Sequence, residues 1–159
     1  MRRRLIVLRH AKSDRSSGVA DHDRPLAARG RREAELAGRW LCENVADIDL
    51  VVCSSATRAQ QTWKLVAKQL EKVPPLRVEE RVYAASEREL MAVVKKLPDS
   101  ANAVLLVGHN PGLEELVAEL GGVGFAMKTS SIAVLSSRSA WAEVKARWAQ
   151  LDASATPRP

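Results

Sequence analysis

Apolar residues in this chain fall into short continuous runs that alternate with amphipathic stretches. The first run, Leu5-Ile6-Val7-Leu8 within residues 5–9, is too short for a helix and apolar on both faces, which marks a strand covered on both sides of a sheet. Residues 49–53 and the strong run 103–107 read the same way, 76–80 is a short third strand, and a further strand is predicted at 131–135. Between them the period becomes helical. Ala34, Ala37, Trp40 and Leu41 share one side of segment 28–43, while Arg31, Arg32, Glu35 and Glu43 can face water. A helix over 56–70 follows Ser54 and Ser55 as N-cap candidates and cannot pass Pro74-Pro75. Ser86 with Glu89 three residues on makes a capping box for a helix through Leu97, which Pro98 closes. Pro111-Gly112 opens a helix that Gly121-Gly122 ends. Residues 11–25 lack any period and read as a loop, broken by Ser16, Ser17, Gly18, Asp21, Asp23 and Pro25. Beyond residue 137 the pattern predicts a helical turn at 141–146, a last strand at 147–151 and a frayed end at 152–159.

This β-α alternation implies an α/β fold, a three-layer α/β/α sandwich with a mainly parallel central sheet, built as a single domain over 1–151. Right-handed crossovers then bring the loops after the first, second and fourth strands to one edge, the carboxyl edge where ligands bind in open sheets. A hydrophobic content of 46% excludes a disordered chain, and with four Trp, one Tyr and one Phe the core must be mostly aliphatic. No apolar run is long enough to span a membrane. The basic start Met1-Arg2-Arg3-Arg4 precedes only four apolar residues, too few for a signal peptide. Two cysteines, Cys42 and Cys53, make no disulfide framework, so a reduced, cytoplasmic setting is expected. The formal net charge of +6 favours anionic partners. The arginines are scattered except at 2–4 and 29–32 and lack interleaved aromatics, so a phosphorylated substrate is favoured over nucleic acid.

Two histidines sit where apolar runs stop: Arg9-His10 after the first strand and Gly108-His109-Asn110-Pro111-Gly112 after the fourth. A neutral imidazole at position 10 can attack phosphorus, the alternative being a histidine that merely fills a loop. Arg9 and Arg58 carry guanidinium forks that match phosphate oxygens, and Arg58 falls in the first turn of a helix, whose N-terminus itself favours anions. His109, flanked by small residues that let backbone approach a ligand, can stabilise charge on phosphoryl oxygens. Competing motifs fail. There is no phosphate-binding G-x-x-x-x-G-K-[ST] loop. Cys53 and Arg58 are separated by four residues where a cysteine-dependent phosphatase needs five. The three histidines lack zinc-ligand spacing, so no metal or other cofactor is expected, and His22 reads as a solvated loop residue.

Four segments in order resemble the histidine phosphatase superfamily, whose folds are phosphoglycerate mutase-like, and within it the small SixA-like phosphohistidine phosphatases. They are Leu8-Arg9-His10-Ala11-Lys12-Ser13; Asp23-Arg24-Pro25-Leu26 with Arg29-Gly30; Cys53-Ser54-Ser55-Ala56-Thr57-Arg58-Ala59 with Gln61-Thr62; and Gly108-His109-Asn110-Pro111-Gly112. The resemblance implies that His10 becomes transiently phosphorylated, with Arg9, Arg58 and His109 around the phosphoryl group, Arg24 as a further contact, and no metal. The larger mutase branch places Gly and Asn where this chain has Ala11 and Ser16. It also supplies a glutamate general acid after the third strand, and Glu80 is the candidate here, ahead of Glu87 and Glu89, the alternative being a surface glutamate beside Arg81. The activity implied is metal-independent dephosphorylation, of phosphohistidine on a protein or of a small phosphate ester such as a sugar phosphate or nucleotide. A phosphate-reading module without turnover is a third reading. Oligomeric state is left open.

Overall fold

The computed structural model describes residues 2–16, 18–45 and 47–159; Met1, Ser17 and Ala46 lie outside them. Six strands form one mixed sheet: β1 (Arg3–Arg9), β2 (Leu50–Ser54), β3 (Leu76–Glu79), β4 (Ala103–Gly108), β5 (Ile132–Ser137) and β6 (Gln150–Ala155), in the order β3-β2-β4-β1-β5-β6. The four strands from β3 to β1 are parallel, and β5 and β6 join antiparallel. The described residues also form four α-helices: α1 (Ala28–Asn44), α2 (Thr57–Ala67), α3 (Glu87–Lys95) and α4 (Gly112–Gly121).

The alternation of side chains along each strand splits the core into two layers. Ile6, Leu8, Val51, Cys53, Leu105 and Val107 pack against Ala37 and Leu41 of α1 and Trp63 and Val66 of α2. Leu5, Val7, Val52, Val104 and Leu106 face Leu90 and Val93 of α3 and Leu113 and Leu116 of α4. β1, β2, β4 and β5 are therefore apolar on both faces, as their sequence runs required. β3 is an exposed edge strand.

Three features depart from the sequence expectation. The capping box at Ser86 and Glu89 has both of its hydrogen bonds, but Ser54 and Ser55 do not cap α2, whose N-cap is Ala56. The loop 11–25 contains one 3-10 turn at Asp21–Asp23, opened by no side-chain cap. The last strand begins three residues later than expected and runs to Ala155, into the stretch expected to fray. Pairing with β5 holds it, the Ser131 and Thr156 hydroxyls hydrogen bond at 2.7 Å, and Arg158 donates to the Thr129 carbonyl. Beside it Trp141 is fully buried and gives its indole N–H to the Ala101 carbonyl at 2.7 Å, which ties the final segment to the start of β4.

Candidate active site

At the carboxyl edge of the parallel strands, β1 delivers Arg9 and His10, the start of α2 delivers Arg58, and the turn after β4 delivers His109. With Lys12, Ser13, Arg15, Arg24, Asn110 and Thr129 they line a polar cavity of about 180 Å³. The rings of His10 and His109 lie 5.1 Å apart between centroids. Arg58 is 6% exposed, and its Nε donates towards His10 Nε2 at 3.4 Å. The four side chains singled out in the sequence thus meet around one small space.

His10 is 7% exposed, and its Nδ1 lies 2.7 Å from the Ala11 carbonyl. A carbonyl oxygen can only accept, so Nδ1 carries the proton and Nε2 keeps its lone pair. Burial, helped by the nearby His109, Arg58 and Arg9, brings the His10 pKa down to about 3. Burial likewise lowers His109 to about 4, with Arg58 adding to the effect. Both rings are neutral near pH 7. Ser54 Oγ accepts the Ala56 N–H and sits 2.7 Å from His109 Nε2. The Nδ1 of the same ring is buried without a partner. Arg9 gives one Nη1 bond to the Met127 carbonyl, while its buried Nε has no partner.

Further residues frame this cluster, among them Asp21, Ser54 and Tyr83, for which the sequence suggested no part in the site. Asp21, in the 3-10 turn, takes Arg24 Nε at 3.0 Å and Arg58 Nη2 at 3.2 Å and accepts the Tyr83 hydroxyl at 2.6 Å. The Tyr83 bond and the two guanidiniums hold its carboxyl well below the usual carboxylate range. Arg24 also donates to Ser13 Oγ at 2.6 Å, which places it on the cavity wall. His22, expected to be a solvated loop residue, is half-buried, pairs with Ser55 Oγ at 2.9 Å and meets the Tyr83 ring edge-on.

The loop after β1 is pinned from behind. Thr62 Oγ1 accepts the Ala11 N–H and the fully buried Glu33 accepts the Lys12 N–H. Glu33 also takes Thr129 Oγ1, Arg29 and Arg158. Gly30 lies so close to the Lys12 carbonyl that any Cβ would collide with it. Gly112 has a similar reason to lack a side chain, since a Cβ there would strike the Ala85 carbonyl; its small size serves packing rather than approach to a ligand.

Glu80 does not join the site. It opens a 3-10 turn, is exposed, and lines neither this cavity nor its neighbour, because that turn carries Tyr83 inward and leaves Glu80 outside. The neighbour is a wider groove of about 520 Å³ that shares Arg58, His109 and Asn110 and is lined on its far side by Ser86, Glu89 and Glu115. Hydrogen bonds from Ser86 keep the Glu89 carboxyl below its ordinary value. Burial pushes the Cys53 thiol up to about 12, which makes it an inert core residue rather than a nucleophile. Among the described residues no cluster of three or more His, Cys, Asp or Glu side chains is placed to hold a metal ion, and no helix is long and apolar enough to cross a membrane.

Residues 5–83 match the family described as histidine phosphatase superfamily (branch 1). An uncharacterised Mycobacterium tuberculosis protein is 40% identical over 162 residues, covering 95% of this chain and 100% of that one. A structure from Nakamurella multipartitia, described as a candidate phosphohistidine phosphatase SixA, is 32% identical with a TM-score of 0.89 over 99% of this chain and 97% of that one. The protein histidine phosphatase SixA complexed with tungstate has a TM-score of 0.83 at 24% identity, covering 96% of each chain.

Proposed function

Since the chain belongs to the histidine phosphatase superfamily and is a SixA-like phosphatase, we propose that His10 is its nucleophile and phosphohistidine on a protein its substrate. One observation carries this reading: the Nδ1–H of His10 is committed to the Ala11 carbonyl, so the lone pair of a neutral ring lies on Nε2, the nitrogen towards which Arg58 donates at 3.4 Å.

In the first step Nε2 attacks phosphorus in line, and the P–N bond to the substrate imidazole breaks. The electron pair stays on that nitrogen, and because the other nitrogen of the substrate ring already carries a proton, the side chain leaves as neutral imidazole. Arg9, Arg58 and His109 hold the equatorial oxygens, with Arg24 as a further contact at the wall. In the second step water attacks the phosphorylated His10, releases inorganic phosphate and regenerates the neutral ring. Charge neutralisation comes from side chains, so the scheme needs no metal.

The substrate choice rests on the leaving group. Glu80 lies outside the cavity, and the carboxyls of Asp21 and Glu89 are both lowered and stay ionised. A phosphate ester expels an alkoxide and wants a proton donor at that moment. A phosphorylated imidazole carries a second ring nitrogen that binds a proton near neutral pH, so it brings its own leaving-group acid. The test is turnover of a phosphohistidine protein against a panel of sugar phosphates and nucleotides at equal enzyme concentration. A preference of about tenfold or more in kcat/KM for the protein is expected, and the reverse preference overturns the substrate choice. Acid-labile labelling of the wild type but not of His10→Ala by a phosphate donor is the companion result; a stable unlabelled complex marks a module without turnover.

A further inference from the structure

The walls of the 180 Å³ cavity carry Arg9, Lys12, Arg15, Arg24 and Arg58 and no carboxylate. Asp21 engages Arg24 and Arg58 from the groove side and so offsets one of those charges. A phosphoryl dianion between Arg9 and Arg58 is balanced by the remaining charge there. Lys12 and Arg15 are left over. Neither has an ion-pair or hydrogen-bond partner for its side chain among the described residues. The nearest acid in sequence, Asp14, spends its Oδ1 on the backbone N–H and hydroxyl of Ser16, at 2.8 and 2.6 Å. The crowding is felt by its neighbours: Arg15 is one of the charges that lower the Arg9 pKa, behind burial.

Nor is the placement of Lys12 accidental. Its N–H is held by Glu33, its carbonyl accepts the Ala27 N–H at 3.0 Å, and Gly30 presses against that carbonyl from behind. With the backbone fixed on that side, the side chain has the cavity mouth in front of it. Uncompensated like charges at a binding site are repelled in the free protein and are satisfied by a ligand that brings the opposite charge.

We propose that Lys12 and Arg15 form a second anion subsite at the mouth of the phosphoryl pocket, which takes a carboxylate side chain of the protein that carries the phosphohistidine. The inference rests on the phosphoprotein reading above and adds a sequence preference to it: acidic residues close to the phosphorylated histidine. Selection works through encounter and binding, so it belongs to KM rather than to kcat.

Two phosphohistidine peptides test it, identical except that Asp or Glu flanks the phosphorylated residue in one and Asn or Gln in the other. A small phosphate monoester serves as a third substrate. At low ionic strength the acidic peptide should be preferred by about fivefold to tenfold in kcat/KM, carried by KM, as two exposed charge contacts allow. Raising the salt to about 0.5 M should remove most of that preference. In the double variant Lys12→Gln/Arg15→Gln the ratio between the two peptides should fall towards one. A wild-type ratio near one at low salt overturns the subsite and leaves the phosphohistidine reading standing. So does a double variant that slows both peptides equally, since the two cations then serve only the phosphoryl group. Turnover of the monoester with no turnover of either peptide overturns the phosphoprotein reading, and the subsite with it. The salt dependence of the wild type decides the matter even where the double variant fails to fold.

Discussion

His10 and His109 are chemically the same side chain, and their surroundings give them different tasks. One has its Nδ1–H spent on a backbone carbonyl, which leaves the lone pair for the proposed attack; the other has Nε2 paired with the Ser54 hydroxyl. Ser54 therefore matters without touching a substrate. Its hydroxyl meets His109 Nε2 at 2.7 Å and so fixes how the ring is turned, and it is fully buried. Ser54→Ala is expected to lower kcat by between about tenfold and 10²-fold with little change in fold, since misplacement by a fraction of an ångström is enough at a reacting centre. Steady-state kinetics beside a circular dichroism spectrum checks it; unchanged kcat means that His109 needs no such partner. Removing Arg58 or His109 itself should cost about 10²–10³, the size of a lost oxyanion donor. Arg58→Ala carries a second consequence, because Asp21 then keeps only Arg24 and Tyr83 and the groove wall loses a cation. These assignments can be separated from a general loss of stability by tungstate or vanadate binding. Arg58→Ala should weaken it strongly and Ser54→Ala only slightly.

At the scale of elements, the site is held by contacts between segments far apart in sequence. The N-terminal turn of α1 lies on the loop after β1, with Gly30 against the Lys12 carbonyl. Gly30→Ala must push that loop or the helix away, at a cost of about 1–3 kcal/mol for overpacking. Because the displaced loop carries Lys12 and Ser13, KM should rise as well; equilibrium urea unfolding and steady-state kinetics measure the two effects, and a fully stable, fully active variant would show that α1 does not support the pocket. The elements themselves were largely legible. β1 and β4 announced themselves as unbroken apolar runs because both faces are covered, and α3 through its capping box, a local signal that needs no tertiary help. The convergence around the candidate site was legible where single residues stood at strand ends, Arg9, His10 and His109, and at a helix start, Arg58. It was not legible where it depends on how a loop returns. Asp21 lies in an aperiodic stretch, and nothing local says that Tyr83, 62 residues away, will meet its carboxylate. Ser54 looked like a cap because it precedes a helix, yet its hydroxyl serves both a backbone N–H and a histidine of another loop. Glu80 had the right neighbourhood in sequence, and the turn it opens faces it outward. The extension of β6 was hidden because Asp152, Ala153, Ser154 and Ala155 have no apolar alternation; their order comes from the partner strand β5.

For the molecule as a whole, the site makes stability depend on pH in one direction. The folded chain keeps His10 down to about pH 3 and His109 down to about pH 4 without a proton, while an unfolded histidine binds one near 6.5. Below 6.5 the unfolded chain therefore holds more protons than the folded one, and stability falls with pH. The contribution is fully present above about 6.5 and is lost progressively down to the folded pKa values. Asp21 acts in the same sense but later, because its lowered carboxyl contributes stability that disappears only once pH falls below the ordinary carboxylate range, near 4. Between pH 6.5 and 5 the histidines thus dominate, and His10 alone accounts for roughly 2 kcal/mol, a large part of the stability of a small domain. The prediction is a comparison. Wild type and His10→Asn are unfolded in urea at pH 7 and at pH 5, and the wild type should lose about 2 kcal/mol more than the variant over that interval. In proton NMR the His10 ring resonances of the folded wild type should not titrate above pH 5. Parallel stability curves, or a ring that titrates near 6.5, would mean that His10 is charged in the free protein at mildly acidic pH and cannot be the poised nucleophile there. The same burial that keeps His10 neutral, as the proposed attack on phosphorus requires, is what makes the fold sensitive to acid, so activity and acid lability should move together among variants that open the pocket to water.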